Sequence, residues 1–110
     1  MFTRSDNCRC QEPFPGVRFK TRVHGERTLL AEFHLERNRL LPRHSHPHEQ
    51  TGYLVSGAIR LTIGTEVFDA RPGDCWCIPG GVDHGAEVLE DSVAIEVFSP
   101  VRDDYLKTGP

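Results

Sequence analysis

Lysine is nearly absent. The chain has two, Lys20 and Lys107, against eleven arginines scattered singly along 110 residues. No basic run or stripe forms, and the net charge is −3, so no nucleic-acid partner is expected. No apolar run is long enough to span a bilayer, so no membrane partner is expected either. The segment Met1-Phe2-Thr3-Arg4-Ser5-Asp6 lacks the apolar core of a secretory leader, which makes a cytoplasmic location the expectation. A helical apolar stripe is missing everywhere, with one helical turn allowed at Arg102–Lys107. Repeats and low-complexity segments are absent too. The length suits one domain and leaves no room for a second, such as a helix-turn-helix.

Cysteine is present but poorly placed for disulfides or thiolate metal sites. Four cysteines form two pairs, Cys8-Arg9-Cys10 and Cys75-Trp76-Cys77. Thiolate zinc sites usually space their cysteines by two residues or more, and a bridge between i and i+2 on a strand is strained. The pairs read as buried free thiols acting as small hydrophobes.

Residues 1–15 are polar and proline-punctuated, and read as an irregular arm; residues 16–110 read as the single domain. In that domain turn residues recur at short intervals between β-branched and aromatic runs. The runs are Val17–Val23, Thr28–Leu35, Thr51–Ser56, Ala58–Ile63, Glu66–Ala70, Asp74–Ile78, Gly85–Leu89 and Ser92–Phe98. Ile59, Leu61 and Ile63 share one face, and Val93, Ile95 and Val97 share another. Period-two alternation in many short runs predicts an all-β sandwich or barrel.

Three of six histidines lie within five residues, His44-Ser45-His46-Pro47-His48, and Gln50 follows. On an extended segment His44 and His46 point the same way, and Gln50 adds an oxygen donor. A distant imidazole, His84, lies just beyond the turn Pro79-Gly80-Gly81. Together they predict a metal site of His44, His46, Gln50 and His84. Histidines beside prolines also occur on plain surface loops, but a loop would not place a glutamine and a fourth histidine at matching offsets. His48 is read as a neighbour of the ligands or as solvent-facing, and His24 and His34 as structural.

These spacings resemble the two motifs of the cupins. His44-x-His46-x3-Gln50-x6-Gly57 matches the first, with Asn38 in place of its leading glycine and Gln50 in place of its usual glutamate. Gly73-x5-Pro79-x-Gly81-x2-His84 matches the second, with Val88 in place of its final asparagine. The resemblance implies a cupin jelly-roll β-barrel, a double-stranded β-helix, with a divalent ion in its mouth. Nickel, zinc, iron and manganese are the candidates. Because Gln50 is neutral, the ion would keep its full charge and act as a stronger Lewis acid, with open positions for an oxygen-rich acid.

The run His44–Gln50 and the tail Phe98-Ser99-Pro100-Val101-Arg102-Asp103-Asp104-Tyr105-Leu106 resemble a narrower group, the small cupins of the pectin-degradation, KdgF type. That group converts cyclic 4,5-unsaturated uronates from pectin or alginate breakdown into linear ketonised sugars. The resemblance implies catalytic roles for Glu96, Phe98 and Arg102, with Glu96 standing where the group carries aspartate. Glu96 is a charge in an apolar strand and shares a face with Phe98, so either that face is functional or it looks into solvent. Arg102 is placed to grip a substrate carboxylate, or to pair with Asp103 or Asp104. The expected ligand is a small acidic sugar. The alternatives are another metal-dependent cupin enzyme (dioxygenase, lyase or isomerase) or a non-catalytic module that binds a small acid. A homodimer is the expected assembly for a domain this small.

Overall fold

Alternation is realised as eight antiparallel strands in a computed structural model that describes residues 1–5 and 9–106. They are β1 (Gln11–Phe14), β2 (Val17–His24), β3 (Leu29–Leu35), β4 (Leu40–His44), β5 (Glu49–Ile63), β6 (Glu66–Ala70), β7 (Cys75–Ile78) and β8 (His84–Ser99). One short helix, α1 (Asp103–Leu106), follows. It falls inside the helical turn expected at Arg102–Lys107. Cys8 lies outside the described residues, and no described helix is long and apolar enough to cross a membrane.

β5 and β8 organise the barrel. Their first halves and second halves pair with different neighbours. Residues 84–90 of β8 lie between β4 and residues 58–63 of β5, which in turn pair with β6. Residues 92–99 of β8 lie between β3 and residues 49–56 of β5, which in turn pair with β7. β2 and β1 continue outward from β3. Each long strand thus serves both layers, and register shifts between Leu54 and Ile59 mark the passage from one to the other. Such irregularities bend a strand and let a sheet curl onto itself. This is a jelly-roll barrel, and the all-β expectation holds.

The sequence runs split each long strand in two, because Gly57 and the polar pair Glu90-Asp91 look like turns. In the fold they are bends within continuous pairing. The segment expected to be irregular contains β1, and β4 has no counterpart among the runs, because Leu40-Leu41-Pro42-Arg43-His44 shows no alternation.

The core joins both layers: Leu54, Ile59 and Leu61 from β5, Val88, Ala94 and Phe98 from β8, and Phe19, Leu29 and Phe33 from β2 and β3. Burying a side chain such as Phe98 or Leu54 contributes roughly 1.5–3 kcal/mol. Asn38, at the position of the missing motif glycine, takes a φ of 65°. Asparagine tolerates this left-handed backbone better than most residues, so the turn survives the substitution.

Candidate metal centre and its cavity

β4 ends in His44 and β8 begins with His84, and the two residues face each other in register. His46 reaches the same point from the connection between β4 and β5. A turn from the second motif fixes that connection. Gly81 donates its N–H to the His46 carbonyl at 2.8 Å, and Gly80 packs so tightly on Pro47 that any side chain there would overlap the Pro47 carbonyl. The ring nitrogens of His44, His46 and His84 converge within 4.8 Å of one another.

Each ring is oriented by the carbonyl of a residue two away. His44 Nδ1 lies 2.8 Å from the Pro42 carbonyl, His46 Nδ1 3.1 Å from that of His48, and His84 Nδ1 2.9 Å from that of Val82. A ring that donates through Nδ1 keeps a lone pair on Nε2, the tautomer that metal ligation requires. His84 Nε2 is buried without a hydrogen-bond partner among the described residues. His46 Nε2 lies 3.1 Å from Gln50 Oε1. The Gln50 amide donates to Glu96 Oε2 at 2.8 Å, which turns its oxygen toward His46. A neutral His46 carries one ring proton and can satisfy only one of the His48 and Gln50 oxygens; with that proton on Nδ1, a second proton or a cation is needed between Nε2 and Gln50. Burial first, and the nearby Arg102 and His84 charges second, push His46 down to about 4, against the proton. Burial also lowers His84. The arrangement suits a divalent cation.

His48 lies outside this cluster; its contribution is the carbonyl that orients His46. His34 pairs with Glu32 and His24 touches the Gly25 carbonyl, both away from the site. Cys75 and Cys77, expected to be buried, are exposed free thiols, as is Cys10. The register explains it: Ile78 faces the buried Gln50, so Trp76 and Ile78 take the inner face of β7 and the cysteines take the outer one.

Glu96 faces inward with Ala94 and Phe98, so the inner reading of that face is the observed one. It is 6% exposed. Its second oxygen accepts the Trp76 indole N–H at 3.1 Å. Burial pushes the carboxyl up to about 8, against the opposing pull of the Gln50 and Trp76 hydrogen bonds. A cation at the imidazoles would draw it down again. Gly52 makes the arrangement possible. It pairs with Glu96 across β5–β8, and a Cβ there would overlap the indole and come within 2.6 Å of Glu96 Oε2.

A cavity of about 250 Å³ joins these groups, running from His44, His84 and Gln50 past Glu96 to Arg102. Much of its lining is apolar, including Phe33, Leu35, Leu41, Ile59, Ala86 and Ala94. Arg102 closes the other side. Its guanidinium lies 3.9 Å from the Tyr105 ring centre and 5.0 Å from that of Phe98. Asp104 takes the side edge of the fork, at 3.2 Å from Nε and 2.7 Å from Nη2, and Nη1 donates to the Tyr105 hydroxyl at 3.0 Å. Burial raises the Asp104 carboxyl, but the Arg102 bonds and charge outweigh it and hold the carboxyl below its usual range. Of the two pairings the sequence left open, Asp104 is the partner. Trp76 and Tyr105 escaped the sequence reading. Only Trp76 left a signal, its shared parity with Ile78.

The cupin domain model matches residues 31–99, well over half of the chain. This chain belongs to the cupin family. The new cupin is 28% identical to the pectin degradation protein KdgF of Dickeya dadantii over 93 residues, covering 83% of this chain and 84% of that protein. Its fold superposes on KdgF from a Halomonas species with a TM-score of 0.88 at 33% identity, covering 94% and 96% of the two chains. It also superposes on an RmlC-like cupin from Shewanella frigidimarina with a TM-score of 0.89 at 22% identity, covering 94% of each, a likeness of fold alone.

Proposed function

We propose that this cupin is a metal-dependent enzyme that opens cyclic 4,5-unsaturated uronates into linear ketonised sugars. One observation carries the reading: a buried carboxyl, Glu96, is fixed between Gln50 and Trp76, beside three convergent imidazoles and in one cavity with Arg102. The KdgF relatives support the substrate class.

The reaction is an isomerisation and needs no second substrate. The anomeric hydroxyl gives up a proton, the bond from the anomeric carbon to the ring oxygen breaks, and that oxygen takes a proton, leaving an enol. The enol oxygen then loses its proton while carbon 4 gains one. Every step moves a proton, so a carboxyl poised near the working pH can act as acid and base in turn. A divalent ion held by His44, His46, Gln50 and His84 would supply a Lewis acid for the sugar's carboxylate and adjacent oxygen. Arg102 would grip the carboxylate, and Phe98 would support both Arg102 and the sugar. Trp76 and Gln50 hold the Glu96 oxygens in place.

The apolar lining favours a second reading, in which the site takes a less polar small acid and performs oxygenase or lyase chemistry. Metal analysis of the purified protein, followed by ultraviolet absorbance of unsaturated galacturonate, separates the two. Loss of the double-bond absorbance, abolished by a chelator and restored by metal, supports the uronate reaction. A stable absorbance with metal bound rejects it, and oxygen uptake with an apolar acid would favour the second reading.

A further inference from the structure

We infer that Asp104 is a built-in competitor for the substrate's carboxylate: it occupies the side edge of Arg102 and gives it up only to another carboxylate. This rests on the reading that Arg102 meets an acidic ligand. The Arg102 side chain is 13% exposed and anchored three ways, by the Phe98 ring, the Tyr105 ring and the Tyr105 hydroxyl. The Asp104 side chain is 57% exposed. The anchored partner stays while the exposed one can turn to water with little loss.

The bidentate contact itself matches what a ligand carboxylate would make, two oxygens on two N–H groups at 3.2 and 2.7 Å. Both residues line the cavity. The helix that carries Asp104 need not unfold for the exchange. Tyr105 stacks on Phe19 with ring centres 4.1 Å apart, and its carbonyl accepts from Thr21 Oγ1 at 2.8 Å. Only the Asp104 side chain has to rotate.

Exchange of one carboxylate for another conserves the charge around Arg102. A neutral sugar cannot do this, because it would strip the arginine of its counter-ion and offer only hydroxyls. Asp104 thus tempers the affinity for every carboxylate and leaves a neutral sugar, which does not displace it, unaffected. It cancels the arginine's charge in the free site, so weak or neutral ligands gain nothing, while a chelating uronate recovers the lost contact.

Asp104→Asn tests this in the metal-loaded protein, with saturated galacturonate and galactose as probes in titration calorimetry. The variant should bind galacturonate about three- to tenfold more tightly, since the lost competitor is a bidentate but exposed partner. Galactose binding should not change. In Arg102→Ala, adding Asp104→Asn should bring no further gain. Unchanged or weaker galacturonate binding in Asp104→Asn, or no binding in either protein, would overturn the inference. Turnover of unsaturated galacturonate is read separately. Tighter binding without turnover keeps the inference and rejects the reaction; turnover without tighter binding rejects the inference alone.

Discussion

Gly52→Ala reaches the proposed chemistry without touching an imidazole. A Cβ at position 52 overlaps the Trp76 indole nitrogen and its neighbouring ring carbon, and comes within 2.6 Å of Glu96 Oε2. The indole is rigid and wedged between the cavity and the sheet, so it must tilt as a whole. Overpacking of this kind costs roughly 1–3 kcal/mol. Tilting also breaks the 3.1 Å bond to Glu96, and leaving a buried acceptor short of its donor costs about 1–3 kcal/mol more. Together the loss is about 2–6 kcal/mol, or a fall of about 8–24 °C at roughly 4 °C per kcal/mol for a domain this size. The three imidazoles are oriented by the Pro42, His48 and Val82 carbonyls, which the change does not touch, so bound metal should stay near the wild-type level. Turnover of unsaturated uronate should fall about 100-fold or more, as expected when a general acid–base group is misplaced. Thermal melts, metal analysis and the double-bond absorbance measure the three effects. Pairing the change with Trp76→Ala should relieve the overlap with the indole but restore no turnover, because Glu96 still lacks its donor. A Gly52→Ala protein with wild-type melting and turnover would refute the claim that this contact positions Glu96.

Glu96→Gln should abolish turnover while metal content survives, because the carboxyl touches the proposed ligand Gln50 but lies outside the imidazole cluster; unchanged turnover of the uronate counts against its role. His84→Ala should leave the protein folded but unable to retain metal after dialysis, read by metal analysis. Stability of the metal-free protein should depend on pH in two windows. Glu96, raised when folded, favours the fold while protonated, so stability falls as pH rises from about 4.5 to about 8, and Glu96→Gln removes that slope in urea titrations. His46, lowered to about 4, acts in the opposite sense, so stability falls as pH drops from 6.5 through about 4.

The spacing of His44, His46 and His84 was legible because motif spacing translates directly into register: His44 pairs with His84, and a turn ties Gly81 to His46. The inner strand faces were legible where alternation was clean, as at Ile59, Leu61 and Ile63. The face of Glu96 was not, since Val93, Ile95 and Val97 are as apolar as Ala94 and Phe98, and only tertiary pairing decides which set faces inward. β4 was invisible because its pairing rests on backbone hydrogen bonds rather than a side-chain pattern. The cysteines misled for a related reason: cysteine's usual burial suggested the core, while the register of β7 put them outside. Arg102 was ambiguous in the chain, where Asp103 and Asp104 are adjacent acids, and became specific only once the turn of α1 chose Asp104.

The most direct test of the central claim is proton magnetic resonance of unsaturated galacturonate in deuterated water, with metal-loaded protein and a protein-free control. The vinyl signal should be lost faster than in the control, giving a linear ketone that carries a solvent deuteron at one of the two stereochemically distinct positions on carbon 4. A vinyl signal that decays no faster than the control, or deuteration without stereochemical preference, would contradict that claim.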